Sequence, residues 1–333
     1  MILFWTIVFI VSLALMIKSA DWLLEKSEKI GLALGISPFI VGVTIVGAGT
    51  SFPELISGLM AVWQGATEIV VANAIGSNIA NILLVVGIAA VVARKIVVHK
   101  SLIDLDLPLL AISTGLTLGI IWDRQVTLAE GLLLIVTYAI YLTYTMMHKE
   151  TEDADIEKHK DLPDIIPPAK TKSKKKEHKT IKRPKIKGID LMLLMAGIIG
   201  LFLGSKYLIQ SVIELSAILN ISAGLIAITA VAVGTSLPEL LVSIKAARAG
   251  KAEIAIGNIF GSNVFNLLLV IGVPALFKTL VVDEKTFMIG IPVLILATFI
   301  FIISGISRKI HIWEGLMYLV IYVLFIVKLF NIF

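Results

Sequence analysis

The feature that most restricts what this chain can fold into is an internal repeat. Residues 36–55 read ISPFIVGVTIVGAGTSFPEL and return at 221–240 as ISAGLIAITAVAVGTSLPEL. The match continues without a gap from GATEIVVANAIGSNIANI (65–82) to GKAEIAIGNIFGSNVFNL (250–267). The offset is 185 throughout, and about 19 of 47 aligned positions are identical, more than shared apolar composition produces. Both copies lie in apolar surroundings. The chain is 58% hydrophobic and only 16% charged, where a soluble domain carries about a quarter charged residues. Runs of about 20 apolar residues, enough to cross a hydrocarbon core, recur from end to end. The sequence therefore predicts an all-α integral membrane protein.

Apolar runs between charged or turn-rich breaks give ten transmembrane spans. They fall at roughly 2–18, 37–62, 68–93, 102–122 and 127–147 in the first half, and 189–204, 222–244, 253–278, 286–306 and 312–331 in the second. Two amphipathic stretches, 20–34 and 205–219, either extend the first and sixth spans or lie at the membrane interface. The N-terminal run lacks a basic n-region and a small-residue cleavage site, so Ile2 to Ile17 reads as a retained span. The halves, 1–147 and 189–333, are joined by a linker at 148–188 of different character. It opens acidic (Glu150, Glu152, Asp153), passes Pro163, Pro167 and Pro168, and ends in lysines from Lys170 to Lys176. With no apolar face to bury, it is expected to be a disordered tether. Its basic cluster fits a cytoplasmic loop better than a nucleic-acid site.

Five spans per half is an odd number, so the second copy enters the membrane upside down. The sequence thus predicts two inverted five-helix repeats. Basic residues agree with both termini outside and the linker cytoplasmic. Arg94, Lys95, Lys100, the linker, Lys245, Arg248, Lys251, Arg308 and Lys309 then share the cytoplasmic side, and the turn at Trp63 and Gln64 lies outside. Inverted repeats are a device of secondary transporters, whose related halves expose one site alternately to each side.

Each copy puts a carboxylate, Glu54 or Glu239, inside an apolar span. An ionised side chain at the bilayer centre costs at least about 2.5–3.5 kcal/mol on insertion scales. No basic residue lies in the central part of these spans, so the alternatives are a bound cation, a proton or permanent protonation. Pro53 and Pro238 remove a backbone donor and free carbonyls near Gly49, Thr50, Gly234 and Thr235. Irregular backbone at membrane depth is tolerated where it lines a polar cavity. Thr50, Ser51, Thr235 and Ser236 add hydroxyls. In the second motif, Ser77 and Asn81 lie one helical turn apart, as do Ser262 and Asn266. Asn78 and Asn263 point elsewhere and brace the helices, a role also open to Asn73 and Asn258. The donors are all oxygen, with no cysteine in the chain. Such a set with two charges suits Ca²⁺, and Na⁺ is hard enough to use the same oxygens. Two glutamates balance one Ca²⁺ or two Na⁺, so a three-for-one exchange would be electrogenic.

GTSFPEL (49–55) and GTSLPEL (234–240), each followed by GSNxxN, resemble the two alpha-repeats of the sodium/calcium exchanger family within the calcium/cation antiporter superfamily. The resemblance covers the chain except the linker. It implies ten helices, alternating access and Ca²⁺ movement driven by Na⁺. It also implies ion ligands at Thr50, Ser51, Glu54, Ser77, Asn81, Thr235, Ser236, Glu239, Ser262 and Asn266, with backbone carbonyls of Gly47 and Ala232 at further ligand positions. Some members, the potassium-dependent branch included, carry an aspartate where this chain has Asn266, which argues against K⁺ cotransport here. Proton-coupled relatives carry a different acidic motif.

The expected partners are Ca²⁺, Na⁺ and the lipid bilayer, with H⁺ an open alternative. No cofactor and no nucleic acid is expected, and a monomer is sufficient because one chain holds both halves. The runner-up function is an H⁺/Ca²⁺ exchanger, with a cation channel ranking below it. An enzyme is disfavoured, since HExxH and GxSxG are absent and the linker acids lack EF-hand spacing.

Overall fold

A computed structural model describes residues 1–34, 49–97, 106–159, 186–248, 252–307 and 309–331. The described residues form eleven helices, taking a helix as continuous through a local change of winding. In chain order they are α1 (Ile2–Ala33), α2 (Phe52–Trp63), α3 (Glu68–Ala93), α4 (Leu107–Ile120), α5 (Leu128–His159), α6 (Gly188–Leu219), α7 (223–235), α8 (Leu237–Arg248), α9 (252–275), α10 (Thr286–Ile306) and α11 (Ile312–Leu329). Eight stretches among them are long and apolar enough to cross a membrane, one formed by α7 and α8 together. Two shorter apolar helices, Phe52–Trp63 and Leu107–Asp123, stand where the second and fourth spans were expected. The first parts of those expected spans lie outside the described residues.

The repeat offset extends well beyond the two motifs. The starts of α1 and α6, α2 and α8, α3 and α9, and α5 and α11 are each separated by 185 residues to within one. Two small antiparallel ribbons follow the same rule. β1 (Lys95–Val97) pairs with β4 (Lys309–His311), and β2 (Gln125–Val126) pairs with β3 (Leu280–Val281). Adding 185 turns β1 into β3 and β2 into β4, so exchanging the halves turns one ribbon into the other.

Both amphipathic stretches continue their helices rather than leaving them, so α1 and α6 are 32 residues each. At 1.5 Å per residue each is about 48 Å long, more than a hydrocarbon core of about 30 Å, and either tilts or projects beyond it. They pack antiparallel. Gly204 of α6 lies over Ser12 and Met16 of α1, and Gly197 lies over Ser19 and Leu23. Small residues at such a seam let backbones approach closely, which drives helix association in lipid. One end of the pair is tied by charge: Lys29 Nζ lies 2.6 Å from Asp190 Oδ2 and Lys26 Nζ 3.8 Å from Asp190 Oδ1. The apolar part of α5 suited to crossing a membrane is Leu128–Thr145, close to the expected end at 147, and the helix itself continues through charged residues to His159.

The centre of the bundle is α3 and α9, whose residues around the GSNxxN motifs are almost all fully buried. A Cβ at Gly76 would sit 2.8 Å from both Ala232 Cβ and Ile228 Cα, so glycine sets the distance between α3 and α7. The outer helices present Ile, Leu, Phe and Val outward, as α11 does with Val320 and Val323. Apolar residues facing outward suit a helix whose solvent is lipid.

Candidate functional site

The first repeat motif breaks its helix in both halves. Gly49 is helical, Thr50 and Ser51 form a turn, and α2 starts at Phe52. In the second half α7 ends at Thr235, Ser236 stands alone, and α8 starts at Leu237. The two serines share one backbone conformation, φ −94° and ψ 8° at Ser51 and φ −81° and ψ 4° at Ser236. This is the sparsely populated bridge region, where many active-site residues sit. The prolines explain the break, since Pro53 and Pro238 hold the second position of the new helix, where a missing N–H costs nothing.

The break places each glutamate in the first turn of a helix, a position electrostatically favourable to a carboxylate. Both Glu54 and Glu239 are fully buried. Glu239 Oε1 accepts hydrogen bonds from Ser51 Oγ at 3.2 Å and Ser262 Oγ at 3.3 Å. Thr50 Oγ1 lies 3.3 Å from Ser262 Oγ and donates to Asn258 Oδ1 at 3.4 Å. Glu54 interacts electrostatically with Glu239 and has Thr235 and Ser77 beside it. Each glutamate thus meets hydroxyls from the opposite half's first motif and from its own half's second motif.

The second motif meets its own copy. Asn78 Nδ2 donates to the backbone carbonyl of Asn263 at 3.1 Å, a contact between repeat mates. Asn81 Nδ2 donates to Asn263 Oδ1 at 3.2 Å. Asn78 and Asn263 therefore brace α3 against α9, as expected. Asn81 spends its amide N–H on that brace and keeps its Oδ1 free.

Several buried oxygens have no hydrogen-bond partner among the described residues. Among them are both oxygens of Glu54, Oε2 of Glu239, the hydroxyls of Ser77 and Ser236, and the side-chain oxygens of Asn78, Asn81 and Asn266. The side-chain amide nitrogens of Asn258, Asn263 and Asn266 are likewise unpaired. A buried polar atom left unpaired costs about 1–3 kcal/mol, more when charged. So dense a cluster of acceptors, with no basic side chain to meet it, has the chemistry of a hard-cation site.

Of the twelve residues expected at the site, Thr50, Ser51, Glu239 and Ser262 are joined by hydrogen bonds. Ser77 and Thr235 stand beside the other carboxylate, Glu54, and Asn81 is hydrogen-bonded to Asn263. Ser236 and Asn266 are buried in the same centre. The Ala232 carbonyl already accepts from the Ser236 amide at 3.1 Å and from Thr235 Oγ1 at 3.4 Å. Gly47 lies outside the described residues. Asn258, for which a bracing role was open, accepts from Thr50 across the two halves. The winding of α3 and α9 was unforeseen. At Ala80–Val85 and Asn266–Val270 both widen into π-helix beside Asn81 and Asn266. Such bulges are frequent at functional sites, but no side-chain pattern announced them.

Comparison with known proteins adds the following. The family model described as sodium/calcium exchanger protein matches residues 4–147 and 189–331. The chain is 31% identical to the sodium/calcium exchanger MaX1 of Methanosarcina acetivorans, over 98% of each chain. It is 34% identical to the CaxA protein of Alkalimonas amylolytica, over 84% of this chain and 82% of the relative. A solved structure of the sodium-calcium exchanger NCX_Mj, soaked with Na⁺ and no Ca²⁺, aligns with a TM-score of 0.62 at 28% identity. It covers 97% of this chain and 98% of that one.

Proposed function

Because the chain belongs to the sodium/calcium exchanger protein family, we propose that it is a secondary active antiporter exchanging Na⁺ for Ca²⁺ across a cell membrane, both ions sharing one site built around Glu54 and Glu239. The observation that carries this reading is the pair of fully buried glutamates, one per half, each at a matched helix break and surrounded by oxygens that lack partners. Two carboxylates repel unless positive charge lies between them. One Ca²⁺ neutralises both, as do two Na⁺, so the ions displace one another. Thr50, Ser51, Ser77, Asn81, Thr235, Ser236, Ser262 and Asn266 supply neutral oxygens, with the carbonyls of Gly47 and Ala232 completing the set. Ca²⁺ takes 6–8 oxygens, which needs both halves at once.

The architecture follows from the repeat. Ten spans form two inverted five-helix halves, 1–147 and 189–333, joined by a cytoplasmic linker at 148–188. The constant offset of elements and ribbons supports this, as do the paired serine breaks. The β1–β4 ribbon brings Lys95 and Lys309 to one end of the bundle, which favours that end as cytoplasmic and both termini as external. Alternating access then consists of the halves exchanging conformations around a fixed site. No cofactor takes part, and one chain is a sufficient unit.

The test is radiolabelled Ca²⁺ uptake into proteoliposomes at clamped voltage, under an outward Na⁺ gradient or a proton gradient. Uptake under the Na⁺ gradient is expected. Uptake under protons alone would assign H⁺/Ca²⁺ exchange to the same carboxylates. Rapid passive flux without any gradient coupling would make the protein a channel.

A further inference from the structure

Along α2 and α6 lies an apolar cleft with a volume of about 420 Å³. Its wall on α2 runs from Ile56, two residues past Glu54, through Leu59 to Trp63. Phe202 of α6 and Phe277, in the turn after α9, close the other side. Trp63 and Phe202 meet edge to face at 6.0 Å. Trp63 and Phe277 are 75% and 71% exposed, so the cleft opens sideways to whatever surrounds the helices. In a membrane protein that surrounding is lipid. Tryptophan at the mouth marks the depth of the headgroups.

The rim is basic. Lys206 stands one turn beyond Phe202 on α6, and Lys278 follows Phe277 directly. The Lys278 ammonium lies over Gly65, just past Trp63. The side chain of Gln64 donates to the Lys206 carbonyl at 3.0 Å, tying the two walls together. Both lysines are exposed, and neither forms an ion pair among the described residues. Glu68 opens α3 three residues beyond Gly65 and pairs with neither.

The internal repeat shows that this is no general consequence of the fold. At the related positions of the other half, Trp63 becomes Arg248, Phe202 becomes Ile17, Lys206 becomes Asp21, Phe277 becomes Val92 and Lys278 becomes Ala93. The helices repeat, but the aromatic mouth and its two lysines do not.

We propose that this cleft is a binding site for one acyl chain of an anionic phospholipid, with the headgroup phosphate held between Lys206 and Lys278. The apolar wall accepts the chain, and the lysines extend from it to headgroup level as snorkelling side chains do. Attraction to anionic lipid is selective for charge, each lysine contributing independently. An occupant would press on α2, the helix that carries Glu54, and on α6, the partner of α1.

The experiment is native mass spectrometry of the full chain in detergent, with phosphatidylglycerol and phosphatidylcholine of matched chains competing for it. Wild type is expected to retain phosphatidylglycerol about tenfold over phosphatidylcholine or better. Lys206→Gln with Lys278→Gln should erase that preference while leaving the chain folded, since both side chains are on the surface. Leu59→Trp, which fills the cleft, should reduce retention of both lipids. Equal retention of the two lipids by wild type, or an undiminished preference in the double lysine variant, would overturn the proposal. The readout is bound lipid, so the result does not depend on which ions the protein moves.

Discussion

The two carboxylates at the centre come from copies of one motif and stand in different surroundings. Glu239 is held by two serine hydroxyls, one from each half. Glu54 is equally buried, yet neither of its oxygens makes a hydrogen bond among the described residues. The same motif residues surround both carboxylates, Thr235 and Ser77 standing beside Glu54, and what differs is how closely the hydroxyls approach. The helix breaks are a fixed property of the motif, as the matching φ and ψ of Ser51 and Ser236 demonstrate. The hydroxyl contacts are the part free to change.

The largest effect should come from the carboxylates themselves. Glu54→Gln and Glu239→Gln each leave one buried charge uncompensated. Losing a partner of this kind costs about 3–5 kcal/mol, a drop of a hundredfold or more in Ca²⁺ flux. Comparable losses in proteoliposome uptake would show that both halves serve one site despite their different surroundings. An active Glu54→Gln would restrict the chemistry to the second half.

Next is the seam between the halves at Gly76. A leucine there would collide with Ala232 and Ile228. Over-packing of this kind costs about 1–3 kcal/mol, read as a fall in the thermal midpoint of the purified protein. An unchanged midpoint would mean that α3 and α7 are not in tight register.

A finer probe of the asymmetry compares the serines. Ser51→Ala removes a hydrogen bond to a charged group, worth about 1.5 kcal/mol or roughly tenfold in apparent Ca²⁺ affinity. Ser236 has no such bond, and its alanine variant should lose only about threefold, the size of a weak neutral contact. Equal losses, measured as half-saturating Ca²⁺ in uptake, would show that the asymmetry vanishes once ions bind.

The smallest effect concerns the α1–α6 pair. Lys29 and Lys26 hold Asp190 at one end, whereas Glu214 and Trp5 occupy the corresponding places at the other. Asp190→Asn should lower the thermal midpoint only slightly, because Lys29 is partly exposed and the pair is screened. Transport should persist. A loss of transport with unchanged stability would give this ion pair a role in the cycle.

Much of this was legible in the sequence because it rests on repeated composition. Apolar run length located the helices, and proline after two hydroxyl residues located the breaks. The position of Asn78 on the helix gave it a bracing role, which its hydrogen bond to Asn263 shows; Asn81 joins the same brace through its amide. Other features were not legible, for physical reasons. Whether 20–34 and 205–219 leave their helices depends on a partner: in the antiparallel pair 20–34 lies against the first part of α6, and 205–219 against the first part of α1. The π-helical turns at Asn81 and Asn266 arise from packing against neighbouring helices, which no local propensity encodes. The partner of Asn258 was not legible because it is Thr50, 208 residues away.

The central claim is that one site, shared by both halves, holds Ca²⁺ and Na⁺ in turn. Equilibrium binding of radiolabelled Ca²⁺ to the purified chain, titrated with Na⁺, tests it most directly. The expected result is competitive displacement of bound Ca²⁺ by Na⁺, with binding abolished in both Glu54→Gln and Glu239→Gln. Ca²⁺ that stays bound in either variant, or that Na⁺ cannot displace, would contradict a shared site.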